Sequence, residues 1–553
     1  MDWKVTLPDG EGILCRGHII DPVARTVTDG EICVRHGRIA AISPLPALPA
    51  DAPYWLPGFI DAHVHVESSM MLPAEFARAA MRHGTVGAVC DPHEIANVLG
   101  IGGIDLMLQS AAQTSFHFLF GAPSCVPSCG SAIETGGAVI SAADIARLMQ
   151  RPDIGFLGEM MNYPGVLAAD PEVMAKIQAA LDAGKPVDGH APGLVGDARR
   201  RYAAAGIATD HECGSLQEGR DAIAAGQYVL IRQGSAAKDF AALAPLIAEA
   251  PDRVMFCTDD SHPGDLLADH ISRHVRLALA EGYDVMDILQ AATVNAVRHY
   301  RLPVGLMQVG DSADIICLSD LTPQFRVVAT STPSAPSEHL PLYGEAVRME
   351  AAPITPQDIA SPVSLPLEGE VARSAGGGAH IIVATDGSLL TDHEVGPIGE
   401  GVQKLVVYNR YTPGARPAVG YIRGFNLRCG AMAQTIAHDC HNIVAVGTSD
   451  ALIADAVNRL IDLGGGIVVN DGTALHSLPL PIGGLMSGLP CEQIAEAEAQ
   501  LRRTVKAMGC TLHAPFITLA FMALPVIPRL KLTDRGLFNG DTFRFVDDEE
   551  PVE

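Results

Sequence analysis

A chain of 553 residues, 48% of them hydrophobic, is too long for one ordinary domain and can bury several cores. Its 38 basic and 64 acidic side chains give a formal charge of −26, which excludes sequence-independent binding to phosphate backbones, because that requires a basic surface. The opening "MDWKVTLPDG" has neither a basic leader nor an apolar signal core, and the twelve Cys are scattered, so a cytoplasmic setting with free thiols is expected.

In chain order, "ILCRGHIIDPVARTVTDGEICVRHGRIAAIS" (13–43) alternates with period two. It predicts a small antiparallel sheet with turns at Asp29-Gly30 and His36-Gly37. From Leu56 to about Leu302 one rhythm repeats: a short apolar run, a polar or Gly-containing loop, then an amphipathic helix. The helix "DPEVMAKIQAALDAG" illustrates the signals, with Asp170 as cap, Pro171 at the first position and Gly184 as stop. Eight strand–helix units over this span fit a (β/α)8 barrel. A doubly wound sheet would carry a Gly-rich phosphate loop after its first strand, and "DAHVHVESS" is not one.

Within the barrel, "SCVPSC" (Cys125, Cys129) lacks a second pair at zinc-site spacing and reads as a loop with two small buried residues. After it, "VGLMQVGDSADIICLSDL" alternates again and is expected to pair with the N-terminal strands. Two stretches rich in Pro, Ser, Gly and Ala follow, the second, "ASPVSLPLEGEVARSAGGGAH", expected to be a loop or insertion with no catalytic duty. Order returns at "QKLVVYNRY", and "GGGIVVNDG" lacks the Lys-Ser/Thr of a phosphate cradle, so it reads as a turn. The late apolar segment "APFITLAFMALPVIP" is short for a membrane span and interrupted by prolines, hence a core element. The expected fold class is α/β. A metal-dependent (β/α)8 TIM barrel (56–302) is inserted in a small split β-rich domain (1–55 with 303–350). A linker or insertion (351–380) and a C-terminal α/β domain (381–553) follow.

The chemistry gathers on the barrel. In "LPGFIDAHVHVESSM", His63 and His65 lie two apart on strand one, so their rings share a face. Two neutral imidazoles converging in an apolar run need a partner, and a divalent cation is the usual one. Glu159 ends strand four, His190 strand five, His211 strand six and Asp259 strand eight, all at the carboxyl ends where barrel enzymes build their sites. Four imidazoles and two carboxylates at one mouth suit a pair of divalent cations bridged by a carboxylate. "CDPHEIAN" at the end of strand two supplies Asp91, His93 and Glu94 at the same mouth. Asp260 and His262 lie just past Asp259, the last of the six. For "AHDCHN" (His438, Asp439, His441, Asn442) three readings stay open: a metal site of its own, a lid, or an interdomain hinge.

The barrel inside a split β domain, with "PGFIDAHVHVESS", resembles the amidohydrolase superfamily. "HGTVGAVCDPHEIANVLG", "LGEMMNYPGV", "GAMAQTIAHDCHNI" and "LPLPIGGLMS" narrow the resemblance to its adenine deaminase family, over nearly the whole chain. That resemblance implies hydrolytic deamination of adenine to hypoxanthine and ammonia at a two-metal centre, with manganese as the expected ion and ferrous iron or zinc as alternatives. It implies that His63, His65 and Asp259 bind the first metal, that His190 and His211 bind the second, and that Glu159 bridges, since no Lys lies near "FLGEMMN". Asp259 would pass a proton from the water to the leaving amine; attack on the purine places charge on ring N1, where Glu94 is the expected proton donor, with Asp91 and His93 orienting it or the base and Asp260 and His262 as weaker candidates for contacting the base. A single-metal layout is the competing assignment, with Glu159 freed and His211 polarising substrate or water. Adenine and water are the expected partners, with no nucleic acid or membrane, in a homodimer or higher homo-oligomer. Hydrolysis of a cyclic amide, or a metal-binding scaffold without catalysis, are the alternative functions.

Overall fold

The computed structural model describes residues 3–7, 10–330, 347–360 and 378–546. The two Pro- and Ser-rich segments, 331–347 and 360–380, the second expected to be a loop or insertion, fall almost wholly outside them.

The alternating N-terminal residues form an antiparallel sheet of Gly12–Asp21, Thr26–Arg35 and Arg38–Pro44. The second turn falls at His36 and Gly37, both at positive φ. The first is not at Asp29-Gly30: those residues are mid-strand, opposite His18 and Gly17. The chain reverses earlier, because the Asp21 carboxylate accepts the N–H groups of Val23 and Ala24, both at 2.9 Å, and Arg25 takes φ 56°. This local side-chain turn outcompetes the downstream Asp-Gly pair.

The apolar run 54–65 is two strands in two sheets. Tyr54–Pro57 lies parallel to Gly12–Asp21 and pairs antiparallel with Ile315–Leu318, so the outer sheet draws on both sides of the barrel sequence. Gly58 marks the crossing, where an added Cβ would stand 2.3 Å from Val86 Cγ1.

The barrel begins at Phe59–His65. Five more parallel partners surround it: Thr85–Cys90, His117–Ala122, Ile154–Met160 and Val187–Gly189 on one side, and Asp259–Asp260 on the other. A second parallel sheet holds Thr209–Asp210, Tyr228–Arg232 and Val254–Cys257. Val254–Cys257 and Asp259–Asp260 are one strand interrupted at Thr258, whose N–H donates to Asp61 Oδ1 on strand one (3.0 Å). The two sheets therefore supply eight barrel strands, and the Ala208 N–H, donating to the Val187 carbonyl at 2.9 Å, joins them at strands five and six. The helix Pro171–Asp182 starts as its residues dictate: Asp170 accepts from the N–H groups of Glu172 (2.9 Å) and Val173 (3.1 Å).

Beyond the barrel, an eight-stranded, mostly antiparallel sheet spans Ala379–Ala384 to Leu475–Pro479, flanked by the helices Asp450–Asp462 and Cys491–Ala507. The late apolar segment folds as the helix Pro515–Ala520 and a 3₁₀ turn, Phe521–Ala523, all buried. Among the described residues no helix is long and apolar enough to cross a membrane. One continuous buried apolar cluster contains Met70 and Ile95 of the barrel with Ile482 and Phe516 of the C-terminal part. The late segment is thereby held over the barrel mouth. Cys125 and Cys129 are free thiols in the loop after strand three.

Candidate metal centre

The six expected ligands meet at the carboxyl ends of their strands. His63 and His65 are buried, with Nε2 atoms 3.2 Å apart. His65 Nε2 lies 3.2 Å from both Glu159 Oε1 and Asp259 Oδ1, and His63 Nε2 stands 3.8 and 3.9 Å from the same atoms. On its other side, Glu159 Oε2 is 2.6 Å from His190 Nδ1 and 3.1 Å from His211 Nε2. The His63 and His211 rings stack at 4.1 Å between the two halves.

Two observations test whether these groups suit a cation. Ligands about 2.1 Å from one tetrahedral ion stand ~3.4 Å from each other, and the separations around His65 bracket that spacing. His65 is also oriented: its Nδ1–H donates to the Asp91 carbonyl at 3.0 Å, which leaves Nε2 facing Glu159 and Asp259. One ring nitrogen and two carboxylate oxygens converging there need a positive charge among them, a proton on the ring or a cation held by all three. Both triads, His63–His65–Glu159 and Glu159–His190–His211, have ligand atoms close enough to share an ion. The residues present fit a metal.

The carboxylates are held ionised. Burial pushes Glu159 up, but the His211 and His190 rings outweigh it and hold it well below the usual carboxylate range. Burial also opposes ionised Asp259, and the His65 hydrogen bond with the His211 and Arg232 charges prevails. Arg232, at the end of strand seven, places Nη1 3.0 Å from Asp259 Oδ2 and Nε 2.8 Å from Asp239, and also pairs with Glu212. Sequence reading missed Arg232 and Glu212. Their signals were an Arg closing the apolar run "YVLIR" and a second acid directly after His211.

Asp259 takes φ 60°, a left-handed conformation that is uncommon outside Gly and Asn. Gly158 serves the site differently: a Cβ there would meet Asp91 Oδ2 at 2.3 Å. Without it, Asp91 accepts the Glu159 N–H at 2.8 Å, and Asp91 acts through the backbone of Glu159.

His93 links this centre to a second cluster. Its Nδ1 is 3.4 Å from Glu159 Oε1 and its Nε2 is 3.4 Å from Glu94 Oε1, with Asp439 Oδ1 at 3.7 Å. Glu94, the expected ring-proton donor, is engaged at both oxygens, by His438 Nδ1 at 2.5 Å and by His441 Nε2. Burial favours its neutral form, but His438, His441 and His93 outweigh it and hold Glu94 as a carboxylate. Asp260 accepts from Ser68 Oγ, and His262 lies in an adjoining cavity with Asp260 and His438.

The open side of the centre is walled by apolar residues of the C-terminal part: Leu389, Phe521, Leu524 and Ile527. Lys531 sets two of them, its buried Nζ donating to the carbonyls of Leu389 (2.9 Å) and Phe521 (3.0 Å). Burial lowers the pKa of Lys531 to about 7, against about 10.4 in an unfolded chain. Between those values the unfolded chain binds a proton that the folded chain lacks, so this lysine makes stability rise with pH, by up to ~1.4 kcal/mol per unit. Lys531→Met removes that increment. The unfolding midpoint of the variant is expected to fall progressively behind wild type from pH 7 to pH 9, as read by thermal denaturation at each pH.

Residues 54–334 match the amidohydrolase family model, and residues 385–544 match the adenine deaminase C-terminal domain. The chain is 47% identical over 550 residues to an adenine deaminase of Salinibacter ruber, covering 96% of this chain and 98% of that one. It is 45% identical to an adenine deaminase of Sulfurovum sp. (96% and 99% covered) and 42% identical to one of Parabacteroides distasonis (97% and 99%). Both halves match, and in the order found in those relatives. The chain belongs to the adenine deaminase family of the amidohydrolases.

Proposed function

We propose that this protein is a metal-dependent hydrolase that converts adenine and water to hypoxanthine and ammonia. His63, His65 and Asp259 would hold one divalent cation, His190 and His211 a second, and Glu159 both. The observation that carries this reading is the double use of Glu159, with Oε1 toward His65 and Oε2 toward His190 and His211. A single-metal layout would leave one of those oxygens without a role. The donors are imidazoles and carboxylates with no thiolate, a set that suits Mn(II), Fe(II) and Zn(II), and manganese is the first expectation. The name shared by the relatives supports adenine as substrate.

Bound there, a cation pair would supply Lewis acidity and make water a competent nucleophile at neutral pH. The remaining work falls to the chain. Asp259 takes a proton from the attacking water and passes it to the departing amine. Arg232 holds the second oxygen of Asp259 and so fixes which oxygen faces the water. Leu389, Phe521, Leu524 and Ile527 offer a flat base an apolar wall and exclude bulk water.

Metal-loaded protein incubated with adenine, adenosine and dihydroorotate tests the reading, with ammonia release and the purine ultraviolet shift as readouts. Turnover of adenine alone is expected. Activity on adenosine but not adenine, or on dihydroorotate alone, overturns it.

A further inference from the structure

The cluster that joins the barrel to the C-terminal part has no role in the mechanism above. Glu94, on the short helix after strand two, meets His438 and His441 from the segment following the strand Ala431–Gln434. Three buried donors at this spacing could hold an ion. The tautomer of His441 argues otherwise. The Ala437 N–H donates to His441 Nδ1 at 3.2 Å, so that nitrogen carries the lone pair and the ring proton sits on Nε2, pointing at Glu94. Hydrogen bonds hold this cluster, and His441 is a donor in it.

His438 is placed differently. Its Nδ1–H donates to Glu94 Oε1, which leaves Nε2 at the opposite edge of the ring, with no hydrogen bond among the described residues. The ring lines the same cavity as His65, Glu159 and Asp259, and stacks on Phe521 with centroids 4.4 Å apart. A cationic imidazole fixed by a carboxylate behind it, beside an aromatic wall, is built to meet a heteroaromatic nitrogen.

We propose that His438 is a catalytic residue contributed by the C-terminal part: its Nε2–H hydrogen-bonds to a ring nitrogen of the bound purine and protonates it, while Glu94 and His441 act as positioning residues. The inference rests on the adenine reading. The water oxygen bonds to C6 and gives its first proton to Asp259. The electron pair displaced from the C6–N1 double bond takes the Nε2 proton, forming N1–H and leaving His438 neutral with its remaining proton toward Glu94. When the C6–amine bond breaks, the Asp259 proton leaves with the amine as ammonia. The proton released as C6–OH becomes C6=O restores His438. Burial disfavours the charged ring, but Glu94, Asp260 and Asp439 outweigh it and push its pKa up to about 9, so the donor is loaded at neutral pH.

The test compares wild type with His438→Gln and His438→Ala, each loaded with manganese and assayed on adenine. Metal content and unfolding midpoint are expected to match wild type and KM to stay within about threefold, while kcat falls by roughly 10²–10³. Added imidazole is expected to restore part of the rate of His438→Ala. The proposal is overturned if either variant keeps kcat within about fivefold of wild type, or if lost rate tracks lost metal. An unaltered protein that does not deaminate adenine refutes the adenine reading instead, and that failure is visible before any variant is made.

Discussion

Glu159→Gln is expected to lose both cations and nearly all activity. The carboxylate presents one oxygen to His65 at 3.2 Å and the other to His190 at 2.6 Å and His211 at 3.1 Å. Gln fills the same volume but offers one acceptor; its other end is an NH₂ group that would face either His65 or the His190–His211 pair. The substitution also removes a negative charge that offsets the cations. Two ions share this residue, so the loss does not stop at one. Without the Lewis acid several kcal/mol of barrier lowering go, on the order of 10²–10⁴ in rate. Metal per chain by mass spectrometry, set beside ammonia release, checks the result. A variant that keeps two ions and full activity would end the bridging assignment.

The convergence of the six side chains was legible in the sequence for a definite reason. Each ligand closes an apolar run, and a barrel delivers strand ends to one rim whatever the intervening helices do. His63 and His65 needed only period two. Arg232 was harder, because an Arg at a strand end is equally at home in solvent. The pairing of Glu94 with His438 and His441 could not be read at all. It spans 344 and 347 residues and depends on how two cores merge around Ile95, Ile482 and Phe516. "AHDCHN" announced polar groups without a partner. The Asp29-Gly30 turn failed in the opposite direction. A favourable dipeptide was overruled by Asp21, whose side chain closes the turn at Val23 and Ala24 first. The strand division at Gly58 was missed because both halves of the run are apolar, and only the close approach of Val86 distinguishes the crossing.

Asp259→Asn separates ligand from proton carrier. Asn is isosteric and tolerates φ 60° as well as Asp does, so the backbone at the strand-eight break is expected to keep its course. Arg232 loses one partner but keeps Glu212 and Asp239, which limits the cost of leaving its charge buried. Asp259 Oδ1 lies 3.2 and 3.9 Å from the first pair of imidazoles, and the His190–His211 side retains Glu159. Metal occupancy is therefore expected to fall less than in Glu159→Gln. The rate is not spared. An amide cannot accept the proton of the water or return it to the amine, and losing general acid–base transfer costs about 10²–10⁴ in kcat. Metal-saturated Asp259→Asn should thus be slow at full loading, with KM for adenine little changed. Recovery of wild-type kcat on adding manganese would show that Asp259 only binds, and would return the proton transfer to another group at the rim.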